Sequence, residues 1–151
     1  MHIRLATKDD AESIKHIELS AFDQSLGTSF LIEELSKNPF ANYFLLETDD
    51  KVALGYMGVR IVDDHAEVMN FAILKPEQGK GHGTKLLEHV LAFVFKHGVR
   101  SMSLEVRKSN TLAQYIYEKY GFEASYMRPK YYNDEDAIVY FKEFTNDYFS
   151  H

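Results

Sequence analysis

The chain contains no cysteine and no tryptophan, and only three of its 151 residues are proline. The absence of cysteine excludes disulfides, zinc–thiolate sites and a cysteine nucleophile, and it fits a reducing compartment. No apolar run approaches the ~20 residues that a membrane-spanning helix needs. The first residues, Met1 to Arg4, lack the apolar core of a signal peptide. We therefore expect a cytoplasmic protein that does not enter a membrane.

Basic residues are outnumbered, and the formal net charge is −6. This balance argues against nucleic-acid binding, which depends on a positively charged surface. It suits a positively charged partner such as an amine or a basic peptide, although ordinary solubility explains the same charge. The length predicts one domain over residues 1–151, which is enough to bury roughly 70% of the unfolded surface.

Apolar periodicity divides the chain into helices and strands. The order is a strand, two helices, three strands, a helix, a strand, a helix and two strands. The predicted ranges are 3–6, 7–22, 30–37, 43–47, 52–62, 66–74, 84–97, 100–107, 111–120, 122–132 and 137–144, with a loop at 24–28 and a turn at 133–136. An antiparallel first half followed by a β-α-β unit predicts a mixed α/β domain.

A glycine-rich segment, Gln78 to Gly83, lies where a predicted strand meets a predicted helix. The first amides of a helix are unpaired and carry a partial positive charge, so this junction favours a phosphate ligand. The segment lacks the Lys-Ser/Thr pair of a Walker loop and the spacing of a dinucleotide fingerprint. By itself it could also be a simple turn.

Two motifs together resemble the GNAT superfamily of acyl-CoA-dependent N-acetyltransferases. The cofactor loop of that family reads Gln/Arg-x-x-Gly-x-Gly/Ala, which Gln78, Gly81 and Gly83 match in order. The later signature is an Asn before a helix ending Tyr-Glu-x-x-Gly-Phe, matched by Asn110, Tyr117, Glu118, Gly121 and Phe122. The resemblance implies the GNAT fold, a mixed α/β fold with a mostly antiparallel twisted sheet of about seven strands flanked by about four helices.

Within the superfamily the chain resembles the ribosomal-protein-alanine N-acetyltransferases, the RimI-like branch. The segments that carry this likeness are 70–73, 104–110, 128–132 and 135–137. The branch often has Pro-Trp before its second helix, whereas this chain reads Ser25-Leu26-Gly27-Thr28. Pro76 stands one place late, and Tyr140 replaces a usual methionine. The first departure concerns the region that borders the acceptor groove in this family.

The resemblance implies acetyl-CoA as cosubstrate, and the scatter of the histidines leads us to expect no metal. The pantetheine arm of acetyl-CoA would lie along residues 71–73 like an added strand, and its diphosphate would sit on the amides of residues 79–84. Asn110 would bind the arm, cap its helix, or do both. The residues thereby assigned to the cofactor are Phe71, Ala72, Ile73, Gln78, Gly79, Lys80, Gly81, His82, Gly83, Thr84 and Asn110. The seven histidines show no spacing typical of a metal site.

The resemblance also implies catalytic roles. Glu105, on the strand face opposite Leu104, would be the general base, and Tyr117 would protonate the leaving thiolate. The alternatives are a surface glutamate paired with a basic neighbour and a core tyrosine. Tyr131 and Tyr132 would line the acceptor groove, or they simply pack in a strand.

The chemistry of amines favours one acceptor class. An α-amine has a pKa of ~7.7–8.0 and a lysine ~10.4, so the α-amine more easily provides the neutral nucleophile. We therefore expect the N-terminal α-amine of a protein as acceptor, for example a small-subunit ribosomal protein. The alternatives are a small amine (polyamine, amino acid or aminoglycoside) and a non-catalytic acyl-CoA sensor. The sequence is compatible with a monomer or a homodimer.

Overall fold

A computed structural model describes residues 1–22, 24–132 and 135–145, without the side chain of Tyr132. The strands are β1 (His2–Leu5), β2 (Ala41–Glu47), β3 (Ala53–Val62), β4 (His65–Ile73), β5 (Ser101–Arg107), β6 (Glu123–Tyr132) and β7 (Glu135–Glu143). The α-helices are α1 (Ala11–Phe22), α2 (Thr28–Lys37), α3 (His82–Lys96) and α4 (Thr111–Lys119). Single 3-10 turns occupy Lys8–Asp10 and Lys75–Glu77.

The strands form one seven-stranded sheet in the order β1-β2-β3-β4-β5-β7-β6. Among the described strands only β4 and β5 pair in parallel, and α3 connects them. The other neighbours are antiparallel. This confirms the mixed α/β fold with a mostly antiparallel sheet, including the β-α-β unit in its second half.

Helices cover the sheet on both faces. On one face the apolar sides of α3 and α4 pack against a large buried cluster that includes Met57, Met102 and Leu104. On the other face α1 and α2 pack against Tyr43 and Tyr56. Within the described residues, no helix is long and apolar enough to cross a bilayer.

Several predicted boundaries are wrong by a few residues. Helix α3 begins at His82 rather than at Thr84, because Gly81 takes a left-handed conformation with φ 84° and starts the helix at once. Helix α2 begins at Thr28, inside the predicted loop. Strand β7 begins at Glu135, so that part of the predicted turn is strand, while residues 133 and 134 lie outside the described residues.

Strand β4 is irregular where the chemistry was predicted. Its register with β3 shifts by one residue at Gly58, and Met69 becomes the extra residue of a β-bulge. Its parallel ladder with β5 contains three residue pairs and ends at Glu67 and Ser103. Beyond that pair the two strands separate.

The N-terminal region is held by an ion-pair network centred on Arg4. Its guanidinium donates to Asp10 at 2.8 and 2.9 Å and to Glu47 at 2.9 Å. The hydrogen bonds from Arg4 hold the pKa of both carboxyl groups below the ordinary value. Thr7 and Asp10 also form the capping box that starts this helical segment.

Gly58 provides a test of packing between β3 and the Tyr43 ring on the neighbouring strand β2. A Cβ at this position would lie 2.6 Å from the ring of Tyr43, whose hydroxyl is fixed by a 3.1 Å hydrogen bond to Glu34. We expect Gly58→Ala to lower the free energy of unfolding by about 1–3 kcal/mol through overpacking. Gly83 lies in helix α3, and the new Cβ of Gly83→Ala would lie 3.4 Å from the ring of Phe71 on β4. This control should be neutral or stabilising by up to about 1 kcal/mol. Urea denaturation without ligand measures both.

The Arg4 network predicts a pH-dependent stability. Carboxyl groups whose pKa is lowered by folding stabilise the fold above their unfolded pKa values of ~3.9–4.3, and this stabilisation disappears as the pH falls through the folded pKa. Arg4→Met should lower the free energy of unfolding at pH 7 by about 1–3 kcal/mol. This loss is smaller than for breaking a fully buried ion pair, because Arg4 is partly exposed to solvent. The difference in unfolding free energy between wild type and Arg4→Met (the gap) should narrow below about pH 4.

Urea denaturation between pH 7 and about pH 2.5 measures this gap. Lys37→Met is the matched control, since Lys37 pairs with Glu33 at 3.9 Å on an exposed helix surface. A gap for Arg4→Met that stays constant across this range would contradict the assignment.

Candidate active site

A cavity of about 370 Å³ opens where β4 and β5 separate. Its walls come from these two strands, the second half of α1, the loop before α2, α4 with its cap residue, and β6. The structure brings five predicted site residues together in its lining: Phe71, Glu105, Asn110, Tyr117 and Tyr131. The predicted glycine-loop residues are not part of this lining.

Glu105 reaches the cavity because the alternation of β5 turns it away from the buried Leu104 and Val106. Its side chain is only 15% exposed. Arg128 of β6 donates from Nη1 to Oε1 of Glu105 at 3.1 Å. The two sequence interpretations of Glu105 therefore coincide, since it lines the cavity and also pairs with a basic neighbour.

Tyr131 completes this group. The Arg128 guanidinium lies 4.4 Å from the centre of its ring, within cation–π distance. Burial and the negative charge of Glu105 raise the pKa of the Tyr131 hydroxyl. At neutral pH this hydroxyl is therefore protonated and can donate a hydrogen bond. The predicted role of Tyr132 depends on a side chain outside the described residues.

Tyr117 approaches the cavity from the other face of the sheet. It is 8% exposed and belongs to the apolar cluster that contains Leu104. The centre of its ring lies 5.8 Å from the centre of the Phe122 ring. It is thus both a packed tyrosine and a cavity residue. Asn110 caps its helix as predicted, because Oδ1 accepts from the Ala113 amide at 3.1 Å. The residue also lines the cavity, and its contact with a cofactor arm stays a prediction.

The edge of β4 that faces away from β3 carries main-chain groups of Phe71 and Ile73. Along a strand of an antiparallel pair, the N–H and C=O groups of successive residues point alternately toward and away from the partner strand. The Leu74 amide donates to the Leu54 carbonyl of β3 at 2.9 Å, so the groups of Ile73 and Phe71 point away from β3. The Phe71 N–H instead donates to its neighbour Asn70 at Oδ1, at 3.0 Å. The Ile73 carbonyl accepts a hydrogen bond from Nε2 of Gln78, in the following loop, at 3.0 Å. This edge can therefore pair with an extended ligand.

The glycine turn prepares the start of α3. Gly79 and Gly81 have φ values of 78° and 84°, in the left-handed region that other residues rarely adopt. Gly81 is the N-cap residue, and within the described residues no side chain caps the following amides of His82, Gly83 and Thr84. Exposed amides at a helix N-terminus suit an anion such as a diphosphate.

A small polar cluster lies beside these amides. Glu77 accepts from Lys80 at 3.1 Å and pairs with Nε2 of His82 at 3.2 Å. His82 is 6% exposed, and its buried Nδ1 has no hydrogen-bond partner among the described residues. The described part of the chain contains no group of three His, Cys, Asp or Glu side chains that could hold a metal ion.

Sequence reasoning missed Glu18, which is fully buried beside the cavity. Its carboxylate accepts from Ser25 Oγ at 2.8 Å, from the Leu26 amide at 3.0 Å and from Asn70 Nδ2 at 3.1 Å. The hydroxyl of Tyr56 donates to it as well. One carboxylate thus connects α1 and the following loop with β3 and β4.

A sequence signal for Glu18 existed. The apolar stripe Ile14, Ile17, Ala21 has helical spacing, and Glu18 falls on the same side of the helix. A charged residue on a buried helix face needs polar partners, which makes it a candidate for function. Arg128 lies in a segment that resembles the RimI-like branch, and no local pattern in the sequence predicts its contact with Glu105.

Residues 11–122 match the family described as Acetyltransferase (GNAT) family. A Bacillus subtilis (strain 168) protein, provisionally named a ribosomal protein bS18-alanine N-acetyltransferase, is 34% identical over 139 residues, which are 91% of each chain.

Solved structures agree with this match. The crystal structure of the ribosomal protein bS18-alanine N-acetyltransferase from Escherichia coli has a TM-score of 0.87 and 29% identity, covering 95% of this chain and 94% of the other. A GNAT acetyltransferase from Elizabethkingia anophelis, solved with acetyl-CoA bound, has the same fold, with a TM-score of 0.73, 18% identity and coverage of 95% and 97%. The chain therefore belongs to the acetyltransferase (GNAT) family and is an acetyl-CoA-dependent N-acetyltransferase.

Proposed function

We propose that this enzyme acetylates the N-terminal α-amine of a protein, with a ribosomal protein of the bS18 type as the first candidate. The observation that carries the proposal is the cavity between β4 and β5, which both Glu105 and Tyr117 line beside the edge of β4. The names of the relatives from Bacillus subtilis and Escherichia coli support the choice of acceptor.

The cofactor side of the site fits acetyl-CoA. The main-chain groups of Phe71 and Ile73 would bind the pantetheine arm, and the amides at the start of α3 would bind the diphosphate. Asn110 would contact the arm while it caps α4. Lys80 would contribute little charge, because Glu77 already pairs with it. Bound acetyl-CoA supplies the thioester.

Two protons move in the proposed reaction. The acceptor nitrogen forms a bond with the thioester carbonyl carbon, and the bond from that carbon to sulfur breaks. Glu105 takes the proton that the nitrogen must lose, directly or through water, and Tyr117 gives a proton to the departing sulfur. The products are the N-acetylated protein and free CoA, and exchange with solvent restores both side chains.

The rim of the cavity favours a polypeptide acceptor. Phe22, Leu26 and Tyr131 line it and are 46%, 45% and 45% exposed, so apolar surface surrounds the entrance. Such a rim suits the first side chains of a peptide. A polyamine would instead need several carboxylates around the entrance.

The acceptor class can be tested with three substrates: an alanine-initiated peptide, the same peptide with a blocked N-terminus and one lysine, and spermidine. The pKa gap of ~2.5 between the two amines corresponds to about 3.5 kcal/mol or roughly 300-fold in neutral nucleophile. We expect kcat/KM at pH 7.5 to be at least about 100-fold higher for the alanine-initiated peptide. Release of free CoA thiol measures all three reactions.

A preference for spermidine would favour a small-molecule acetyltransferase instead. CoA binding without turnover of any amine would favour an acyl-CoA sensor. The affinity for CoA is read from the rise in melting temperature, since a ligand of the native state stabilises it.

The proposed base and acid predict a separation of turnover from cofactor binding. Glu105→Gln should lower kcat by about 10²–10⁴, and Tyr117→Phe should lower it less, by about ten- to a hundredfold. A thiolate is already a fair leaving group, because a thiol has a pKa of ~8.5. The Kd for CoA should change less than about twofold, since neither proton transfer contributes to it. The activity of Glu105→Gln should recover as the pH rises through ~8, where the amine loses its proton unaided.

The controls are chemically matched to these variants. Glu123→Gln changes an exposed glutamate of β6, and Tyr115→Phe removes the hydroxyl of a tyrosine on α4 that is 66% exposed. Both should keep wild-type turnover. Wild-type kcat in Glu105→Gln and Tyr117→Phe would refute the assigned roles.

A further inference from the structure

The side chain of Asn70 joins two parts of the site that have different tasks. Its Oδ1 accepts from the Phe71 N–H at 3.0 Å, on the edge of β4 that faces away from β3. Its Nδ2 donates to Glu18 at 3.1 Å. The residue lies on β4 next to the bulge at Met69 and lines the cavity. Both ends of one amide group are therefore engaged.

Glu18 extends this connection to the loop between α1 and α2. It is fully buried, and two of its other hydrogen bonds come from Ser25 and from the main chain of Leu26. These two loop residues also line the cavity, on the side with the exposed apolar rim. Asn70 thus lies between the strand edge proposed for the cofactor and the loop proposed for the acceptor.

A ligand arm that pairs with β4 as an added strand requires the Phe71 N–H. That group has one hydrogen, and in the structure it is directed to Asn70 Oδ1. The arm and the side chain therefore compete for the same donor. A side-chain oxygen that loses its donor beside the cavity needs a new one, because unpaired buried polar groups are unfavourable.

We propose that Asn70 is a positioning residue that switches partners: it gives up the Phe71 N–H when the cofactor arm binds and then accepts from the acceptor nitrogen. This inference rests on the proposed function. It makes cofactor binding precede acceptor binding, because the amide oxygen becomes available only after the arm has taken the strand edge. Glu18 keeps the amide near the acceptor loop through Nδ2.

The proposal predicts that removal of a site residue tightens cofactor binding. In Asn70→Ala the arm no longer displaces an intramolecular hydrogen bond, so the Kd for CoA should fall about three- to tenfold. In Asn70→Asp a charged oxygen holds the Phe71 N–H more strongly, so the Kd should rise. A residue with a merely structural role would weaken CoA binding in both variants. Isothermal titration with CoA alone measures this without any turnover.

The acceptor should respond in the opposite direction. Asn70→Ala should raise KM for an alanine-initiated peptide at least about fivefold, because the nitrogen loses its acceptor while CoA binds more tightly. In wild type, saturating CoA should increase the affinity for this peptide, and Asn70→Ala should abolish the increase. Asn42→Ala is the matched control, since that asparagine lies on β2 and donates to Phe40. It should behave as wild type in each measurement.

The outcomes separate this inference from the proposed function. An unchanged or raised Kd for CoA in Asn70→Ala, with normal CoA binding by wild type, overturns the role of Asn70 and leaves the acetyltransferase assignment intact. Absence of CoA binding by wild type overturns both. Melting curves of Asn70→Ala and Asn70→Asp without ligand confirm that each is folded, and an opposite movement of the two Kd values supports the switch.

Discussion

The site depends on the separation of β4 from β5 after three residue pairs. An exposed strand edge needs partners for its N–H and C=O groups, and in most sheets it is a liability. Here the side chains of Asn70 and Gln78 bond to Phe71 and Ile73 on that edge. Polar side chains therefore provide hydrogen-bond partners for the main-chain groups on this edge. Weak neutral hydrogen bonds of this kind are easily exchanged for those of a ligand.

The buried carboxylate of Glu18 stabilises the region where β4 and β5 separate. Burial of a charge is strongly unfavourable unless hydrogen bonds compensate it. Glu18 receives four such bonds, from Ser25, Leu26, Tyr56 and Asn70. Burial and the charge of Glu18 raise the pKa of Tyr56, which therefore remains a donor. Because each donor belongs to the loop, to β3 or to β4, the carboxylate fixes the loop between α1 and α2 relative to the sheet.

Local chemistry explains what the sequence could predict. The cap at Asn110, the outward direction of Glu105 and the element order follow from patterns within about ten residues, and the structure has all three. The start of α3 was misplaced because the left-handed Gly81 shortens the loop. The pairing of Glu105 with Arg128, 23 residues away, was not predictable, since it depends on β7 lying between β5 and β6.

The geometry of the sheet also explains how the proposed base could reach the attacking nitrogen while the proposed acid reaches the departing sulfur of the same thioester. Alternation along β5 sends Glu105 to one face, while Tyr117 belongs to the apolar cluster on the other. In a continuous sheet the backbone layer would lie between two such side chains. Only where a ladder ends can both reach the same cavity, and the ladder between β4 and β5 ends at Ser103, two residues before Glu105. The shortness of this parallel ladder is thus the feature that would give the proposed base and acid access to one thioester from two sides.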